Sequence, residues 1–463
     1  MEMGGGQDLT KGDIRKQMWS LAWPLMLSVF FYTLYNLVDA FWVSKLSPEA
    51  IAAVSIAQIT LFAMVALSMG ISVGSGVLMA MNIGAKNIKE AERVLGQSFV
   101  LAGAVAVFFT VLSLIFRNEL LILSGASGLV FAPALEYFTI TAAGSILLFL
   151  IFTIMFAFNS EGDTFTLTKF FAISTFVNLV LDPIMIFGWF GFPAWGIGGA
   201  AMATLISQVV FIALAIRELS SEKRNVRFRL PNLSLNLDSV KEVFKIGLPA
   251  SLTQVIYPVG IAALTYLISS KFLEAGVIAF SLGFRIEFFA FLPAAGFGFA
   301  AMAMIGQNIG AGNLERAKES FRKALKYAFI GSTATGVFAL IFAEGIIGVF
   351  TTDPVVTQYA LSYIWTVALT YGFLAAGLVE ASAFQAIGKS WPGFWIFLFR
   401  FGVVSVPLAY VFTQVLGYPI ESVWAAIVIG NLLSSAIGYV WITRTLSTLD
   451  LSKEPVHPMA GGP

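Results

Sequence analysis

The sequence predicts an all-α integral membrane protein built from twelve transmembrane helices. Hydrophobic residues make up 58% of the 463 positions, charged residues only 11%, and the mean hydropathy is +0.87, which excludes an ordinary soluble domain. A helix needs about 20 predominantly apolar residues to cross a bilayer, whereas a barrel strand has about 10 residues that alternate. Long apolar stretches occur near residues 18–43, 50–82, 94–116, 130–158, 166–188, 195–218, 242–270, 274–306, 325–351, 356–386, 391–415 and 420–444. Short connectors separate most of them, so almost the whole chain forms the membrane domain.

An internal repeat divides the twelve spans into two six-helix units. The segment MAMNIGAKNIKEAERVLGQSF at 79–99 is similar to AMIGQNIGAGNLERAKESFRKAL at 303–325, which aligns Gly84 with Gly310 at an offset of 226. Upstream, WSLAWPLML and FKIGLPASL align Pro24 with Pro249 at an offset of 225. Because six is even, the copies share one orientation, which predicts two lobes related by a pseudo-twofold axis along the membrane normal. The predicted parts are a tail at 1–17, an N-lobe at 18–218, a cytoplasmic loop at 219–241, a C-lobe at 242–444 and a tail at 445–463.

The distribution of basic residues predicts the orientation of the chain. Of the 27 lysines and arginines, the predicted outer loops hold only Lys45, Arg117 and Lys271. The positive-inside rule therefore places both termini in the cytoplasm of a multi-pass cell-membrane protein. The basic segment 219–243 is interpreted as a topology determinant, so no nucleic-acid partner is predicted. A two-lobed membrane protein surrounded by lipid needs no partner subunit, so a monomer is predicted.

Signals for enzymes and for ATP-driven pumps are missing from the sequence. It has no GxxxxGK[ST] motif, no cysteine and a single histidine, His457, in the C-terminal tail. The GxGD pattern of intramembrane aspartyl proteases is absent around both membrane-embedded aspartates. The chain is therefore predicted to have no enzymatic activity and no cofactor, and a proton relay within its membrane domain must use carboxylates.

Two aspartates, Asp39 and Asp182, lie deep within apolar stretches. A carboxylate at membrane depth is costly, so such residues usually face a cavity and have a function there. Neither acid is repeated in the second unit, where the aligned positions are Leu264 or Thr265 and Pro407 or Leu408. An architectural requirement of the six-helix unit would appear twice, so the asymmetry favours a function in the first lobe. The alternative is a structural Asp–Asn hydrogen bond that holds helices together.

Polar neighbours extend the aspartate pair into a predicted cluster. Asn36 precedes Asp39 by three residues and Asn178 precedes Asp182 by four, so each shares a helix face with its aspartate. Thr204 and Tyr137 lie at compatible depth on spans 6 and 4. The predicted cation or proton site consists of Asp39, Asn178, Asp182 and Thr204, and the predicted substrate cavity includes Asn36, Asp39, Tyr137 and Asp182. Two carboxylates in one desolvated site titrate as a coupled unit, which suits H⁺ as the coupling ion. The same oxygens suit Na⁺ at Asp39, Asn178 and Asp182.

Pro24 is a predicted hinge in span 1, the helix that carries Asp39. A proline inside a helix removes one backbone hydrogen bond and kinks the helix. A hinge on this helix would convert protonation of the aspartates into bending. The alternative is a static kink, because Pro249 repeats the feature.

Charges within the second lobe are interpreted as mutually neutralising. Arg285 and Glu287 are two residues apart, so they cannot face each other on a helix. Glu380, near the cytoplasmic end of span 10, is predicted to pair with Arg400 in the inner half of span 11.

The two lobes, the WPLML start, the IGAKN/IGAGN loop pair and the acids in spans 1 and 5 resemble the MATE family of multidrug and toxic-compound exporters. The resemblance extends from about Lys11 to Arg444. It implies a V-shaped protein that exports bulky, often cationic and aromatic compounds by alternating access against inward H⁺ or Na⁺ flow. In the subgroup with first-lobe acids, the cation site corresponds to Asp39, Asn178 and Asp182, with Thr204 as an addition. Other members use second-lobe acids, for which the candidates here are Glu287 and Glu380.

The predicted function is proton-coupled export of small-molecule drugs and organic cations, with bending of span 1 at Pro24 on protonation of the aspartate pair. One alternative is Na⁺ coupling at the same site. Another is a flippase for lipid or polysaccharide precursors, although such proteins often have 14 spans and arginines in a charged cavity. A third is a receptor or scaffold without transport activity, which would not need unrepeated buried acids.

Overall fold

The computed structural model describes residues 6–234 and 236–451, and the secondary structure of these residues is helical. His457 and most of the predicted C-terminal tail lie outside them. The first half of the chain contains α1 Ile14–Val43, α2 Pro48–Gly84, α3 Ile88–Ile115, α4 Arg117–Leu123, α5 Phe131–Ala143, α6 Ser145–Glu161, α7 Thr164–Phe187 and α8 Gly196–Leu219. The second half contains α9 Leu237–Gly310, α10 Leu314–Ile341, α11 Ala343–Phe350, α12 Pro354–Val367, α13 Tyr371–Ala386, α14 Trp391–Leu398, α15 Val406–Tyr410 and α16 Glu421–Thr448.

The predicted all-α membrane fold is confirmed, and each of the twelve predicted spans has a helical counterpart. Ten helical segments of the described chain are long and apolar enough to cross a membrane. A bent pair, Gly128–Ala143 and Ser145–Glu161, meets at 50° and supplies another span. The long helix α9 breaks at Leu273, where φ is 54° and ψ is −151°, so its halves are two consecutive spans. A positive φ is uncommon for a residue other than glycine. The backbone at Leu273 therefore forms a sharp break between two helices.

Unit 1 is a compact body formed mainly by Leu27–Ser251. Helix α2 packs against α3, α5 and α6, and α7 packs against α8. Small residues allow these close approaches, as is usual for helices in membranes. At the bend between α5 and α6, a Cβ on Gly144 would lie 2.2 Å from a methyl carbon of Leu205. Glycine at this corner therefore gives the Leu205 side chain of α8 room to pack against the bend.

Unit 2 consists of Leu9–Met26 and of the chain from Leu252 to the end of the described residues. Its core includes Phe280, Tyr363 and Trp424. The Phe280 and Trp424 rings stack with centroids 5.9 Å apart, and Tyr363 packs edge-on against Trp424 at 5.0 Å. The Trp424 indole N–H donates a 3.0 Å hydrogen bond to the Ser362 hydroxyl, so the polar atom of this buried ring is satisfied.

The chain crosses between the units directly after each repeated proline. Helix α1 is continuous through Pro24, and unit 1 begins at Leu27, three residues later. In α9, unit 1 ends at Ser251, two residues after Pro249. The predicted lobe limits, 18–218 and 242–444, stay predictions. The bounds of the two units differ from these predicted limits. The first half of α1 belongs to unit 2, and the first turns of α9 belong to unit 1.

The basic loop, a predicted topology determinant, is part of unit 1 and packs against it through ion pairs. Arg224 is buried, and its guanidinium forms 2.9 Å ion pairs with Glu161 and Asp163. The backbone N–H of Val226 donates to Glu161 at 2.8 Å. A buried ion network of this kind is destabilised strongly when one partner is removed. The loop therefore contributes to the folded state of the unit.

Candidate functional site

Asp39 lies on α1 in the interior of unit 1 and is only 2% exposed. The Tyr137 hydroxyl on α5 donates a 3.3 Å hydrogen bond to Asp39 Oδ2. The other oxygen, Oδ1, has no hydrogen-bond donor among the described residues. Buried polar atoms are usually paired, so this oxygen has free capacity for a proton or a cation.

Asp182 and Asn178 lie one turn apart on α7 and are both fully buried. The Asn178 side-chain N–H donates a 2.9 Å hydrogen bond to Asp182 Oδ1. Within the described chain, Asp182 Oδ2 and Asn178 Oδ1 have no hydrogen-bond partner. The structure thus brings the predicted residues together in two hydrogen-bonded pairs, Tyr137–Asp39 and Asn178–Asp182.

Tyr35 lies near both pairs, and it is not among the predicted site residues. Its hydroxyl lies 3.3 Å from the Ser207 hydroxyl and close to that of Thr204. It is also within electrostatic range of both the Asp39 and the Asp182 carboxyl groups. The available signal was its spacing, because Tyr35 precedes Asp39 by four residues and so shares its helix face.

A cavity of about 330 Å³ opens beside this cluster. Asn36, Asp39, Tyr137 and Thr204 line it, whereas Asn178 and Asp182 do not. The Asn36 amide donates a 2.8 Å hydrogen bond to the backbone carbonyl of Tyr32, one turn earlier on the same helix. This hydrogen bond does not involve Asp39. The other polar lining residues are Tyr32, Tyr35, Gln58, Thr141, Ser145 and Gln208.

The cluster offers oxygen atoms and no cationic side chain. Four buried atoms lack a hydrogen-bond partner among the described residues: Asp39 Oδ1, Asp182 Oδ2, Asn178 Oδ1 and Thr204 Oγ1. Hard cations such as Mg²⁺ and Ca²⁺ prefer oxygen ligands, and a carboxylate also accepts a proton. No group of three or more His, Cys, Asp or Glu side chains suited to a metal ion occurs in the described part of the chain. The unpaired oxygens can accept a proton or a hydrogen bond, or offer ligands to a cation.

Another buried acid, Glu287, lies in unit 2 and is 4% exposed. The Tyr257 hydroxyl donates to Glu287 Oε1 at 3.0 Å, and the Tyr363 hydroxyl donates to Oε2 at 2.7 Å. Both carboxyl oxygens of Glu287 thus have a donor. Arg285, two residues earlier, is exposed, in agreement with the expectation that the two side chains do not face each other.

The predicted ion pair between Glu380 and Arg400 is wrong. The Arg400 guanidinium lies over the Phe401 ring at 4.6 Å and the Tyr257 ring at 5.6 Å. Arg400 sits in a π-helical segment, Phe399–Ser405, whose wider turns change the direction of its side chains from that of an α-helix. Glu380 instead accepts a 3.5 Å hydrogen bond from Ser435 on α16.

A family model described as MatE matches residues 24–184 and 249–411 of the chain. The two matches begin at Pro24 and Pro249, the prolines that the internal repeat aligns. The match therefore corresponds to both copies of the repeat.

Similar proteins span the whole chain. It is 26% identical over 440 residues to an FAD transporter of Shewanella oneidensis, covering 94% of this chain and 96% of that protein. It is 25% identical over 455 residues to a "Probable multidrug resistance protein NorM" of Thermotoga maritima, covering 96% of each. A solved MOP superfamily transporter from Pyrococcus furiosus aligns with a TM-score of 0.89 and 29% identity, over 96% of this chain and 98% of that one.

Proposed function

The chain belongs to the MatE family of membrane transporters, and from that premise we propose that it exports bulky organic compounds in exchange for protons. Its activity is transport and not catalysis. The observation that carries the proposal is the unequal placement of the two first-lobe aspartates. Asp39 lines the cavity with one carboxyl oxygen free, whereas Asp182 does not line it and is hydrogen-bonded to Asn178.

Exchange follows from competition at Asp39. In its charged form the carboxylate attracts a cationic compound into the cavity, because the cavity holds no cationic side chain. A proton taken up by Asp39 removes that charge and weakens the attraction, so the compound is released. Asp182 is within electrostatic range of Asp39, so a negative charge on one carboxyl group disfavours a negative charge on the other.

The lining of the cavity supports an aromatic cation as the substrate. A volume of about 330 Å³ lies within the usual range of about 300–1,000 Å³ for sites that bind small molecules. Tyr32, Tyr35, Phe62 and Tyr137 supply aromatic faces, which attract organic cations. The names of the relatives, a multidrug resistance protein and a flavin nucleotide transporter, agree with aromatic substrates.

Bending of α1 at Pro24 couples the proton to the cavity in this proposal. Pro24 has no backbone N–H, so the helix lacks one hydrogen bond at this point. Unit 1 begins three residues later, at Leu27, and Asp39 lies three turns further along the same helix. In this proposal the bend also shifts the part of α1 beyond Leu27 within unit 1, which moves Asp39 relative to Tyr137, its hydrogen-bond donor from α5.

Sodium is the alternative coupling ion at the same cluster. The free oxygens of Asp39, Asp182, Asn178 and Thr204 could ligate it. Protons are preferred because Asp39 already has a phenolic donor on one oxygen and needs a single hydrogen to satisfy the other.

The test is efflux of ethidium or rhodamine 6G from proteoliposomes, with a pH gradient or a Na⁺ gradient imposed separately. Wild type, Asp39→Asn and the control Asp238→Asn are compared. Asp238 is in unit 1 with a side chain that is 76% exposed, so its substitution makes the same chemical change outside the cavity.

We expect the pH gradient to drive efflux by the wild type. Asp39→Asn is expected to lose this ΔpH-driven efflux, and Asp238→Asn is expected to retain it. Efflux that is driven only by the Na⁺ gradient would show that the coupling ion at this site is sodium and not the proton. Full ΔpH-driven efflux by Asp39→Asn would refute the assigned role of Asp39.

A further inference from the structure

A groove of about 430 Å³ opens on the surface of unit 2, lined by α10, α13 and α16. Its walls are mostly apolar and include Phe329, Ile330 and Phe373, and Arg322 and Lys326 also line it. We propose that this groove binds an anionic phospholipid whose headgroup carries hydroxyl groups, with the phosphate between the two basic side chains.

The two basic residues form no ion pair within 4.0 Å in the described chain, although Arg322 is within electrostatic range of Glu315. Arg322 and Lys326 are four residues apart on α10, so they share one face of the helix, and both are exposed. Lys318 and Lys323, by contrast, each form a 2.7 Å ion pair with a glutamate of the same helix. Arg316, the remaining cation of α10, donates to the backbone carbonyls of Leu9, Lys11 and Gly12. Among the cations of α10, the two that line the groove are thus the ones for which the described chain shows neither an ion pair nor a hydrogen bond.

Glu380 also lines the groove, and it favours a lipid whose headgroup carries a hydroxyl group. It is fully buried, and its Oε1 accepts a long 3.5 Å hydrogen bond from Ser435. Its Oε2 has no donor among the described residues. A headgroup hydroxyl supplies such a donor. Two cations against one carboxylate leave the groove positive whether or not Glu380 carries a proton, so a single phosphodiester charge complements it.

The position along α10 matches the level of lipid headgroups. Lys326 is the last charged residue of this helix, which continues without charge to Ile341. Phe329 and Ile330 follow within about one turn, where acyl chains begin, and Tyr439 on α16 is exposed beside them. Basic pockets between transmembrane helices bind anionic lipid headgroups, and tyrosine is enriched at the same level.

The equivalent face in unit 1 is covered by the protein itself. At the repeat offset of 226, Arg322 and Lys326 correspond to Gly96 and Val100 on α3. A Cβ on Gly96 would lie 2.4 Å from the backbone carbonyl oxygen of Asn232, in the loop after α8. The chain thus closes this face in unit 1, whereas in unit 2 the face carries two cations and an open groove.

The experiment is native mass spectrometry of the full-length protein titrated with three defined lipids. Phosphatidylglycerol has a phosphodiester and hydroxyls, phosphatidylmethanol has the same charge without hydroxyls, and phosphatidylcholine is zwitterionic. We expect phosphatidylglycerol to bind most tightly. Each basic side chain contributes about fivefold, so the double variant Arg322→Gln/Lys326→Gln is expected to lose about 30-fold in its affinity for phosphatidylglycerol.

The control Lys318→Gln/Lys323→Gln removes the same charge from ion-paired positions of the same helix. We expect it to keep its affinity within about twofold. An equal loss in both double variants, at an unchanged melting temperature, would overturn the groove as the binding site. Equal affinity of the wild type for phosphatidylglycerol and phosphatidylmethanol would overturn the role given to Glu380.

Discussion

Unit 1 and unit 2 each bury an acid against a repeated tyrosine, yet only one of the two acids has a free oxygen. Tyr137 and Tyr363 are equivalent at the repeat offset of 226, and each donates to a carboxyl group. The acid is Asp39 on α1 in unit 1, and Glu287 on the second half of α9 in unit 2. Glu287 receives a second hydrogen bond from Tyr257, whereas Asp39 Oδ1 has no donor among the described residues.

This difference means that Asp39 can bind a further proton or cation through its free oxygen, whereas both oxygens of Glu287 are already hydrogen-bonded. A carboxyl group with donors on both oxygens cannot bind a further ligand without giving up a hydrogen bond. A carboxylate with a free oxygen beside a cavity can exchange a proton or a cation without breaking such a bond. The repeat has thus kept the tyrosine, while the acid lies on different helices of the two units.

The largest expected effect is on coupled transport. Asp39→Asn should lower the rate of ΔpH-driven ethidium efflux by more than about tenfold. An asparagine cannot take up and release the proton, and a side chain that transfers a proton typically contributes at least that factor to a rate. Glu287→Gln should leave the efflux rate within about threefold of wild type. The measurement is initial efflux rate in proteoliposomes at matched protein content. A loss in Glu287→Gln as large as that in Asp39→Asn would remove the functional distinction between the units.

Buried arginines extend the comparison to stability. Arg224 in unit 1 pairs with Glu161 and Asp163, whereas Arg400 in unit 2 stacks on rings and has no carboxylate within ion-pair distance in the described residues. Arg224→Met should lower the free energy of unfolding by about 3–5 kcal/mol, because it leaves buried carboxylates unpaired.

Arg400→Met should change the free energy of unfolding by less than about 1.5 kcal/mol, because it also removes the cost of burying a charge. The free energies of unfolding are measured by denaturant titration in detergent micelles. A loss of several kcal/mol in Arg400→Met would indicate that Arg400 neutralises Glu287 through Tyr257.

The repeated tyrosines should differ in their effect on stability. Tyr363→Phe removes the 2.7 Å donor to a fully bonded Glu287, so the expected loss is about 1–3 kcal/mol. Tyr137→Phe removes a weaker 3.3 Å hydrogen bond from an acid that already has a free oxygen, so the expected loss is below about 1 kcal/mol. Thermal melting of the two variants in the same detergent provides the check. Equal losses would show that the geometry of the two bonds does not determine their strength.

The sequence predicted the parts of this comparison that depend on composition and repetition. Span lengths, the offset between the halves and the presence of acids in apolar stretches are visible without a structure. The rotation of each helix is not visible in this way, so the sequence did not show that Asp39 lines the cavity and Asp182 does not. The π-helical segment that turns Arg400 onto Tyr257 has no sequence period to reveal it, and the predicted pair with Glu380 was therefore wrong.

Pro24 and Pro249 provide the last and smallest test of the difference between the units. Both occupy equivalent positions just before the chain passes from one unit to the other, so a static kink would serve both equally. Only Pro24 shares its helix with an acid that has a free oxygen, because the position equivalent to Asp39 is an apolar leucine or a threonine. Pro24→Ala should therefore slow ΔpH-driven efflux about three- to tenfold, a barrier change of about 0.7–1.4 kcal/mol, while Pro249→Ala should slow it less than twofold. Efflux rates of the two variants at equal expression make the comparison. Equal slowing would assign both prolines to helix shape, and coupling would then reside in the Asp39 cluster without a hinge.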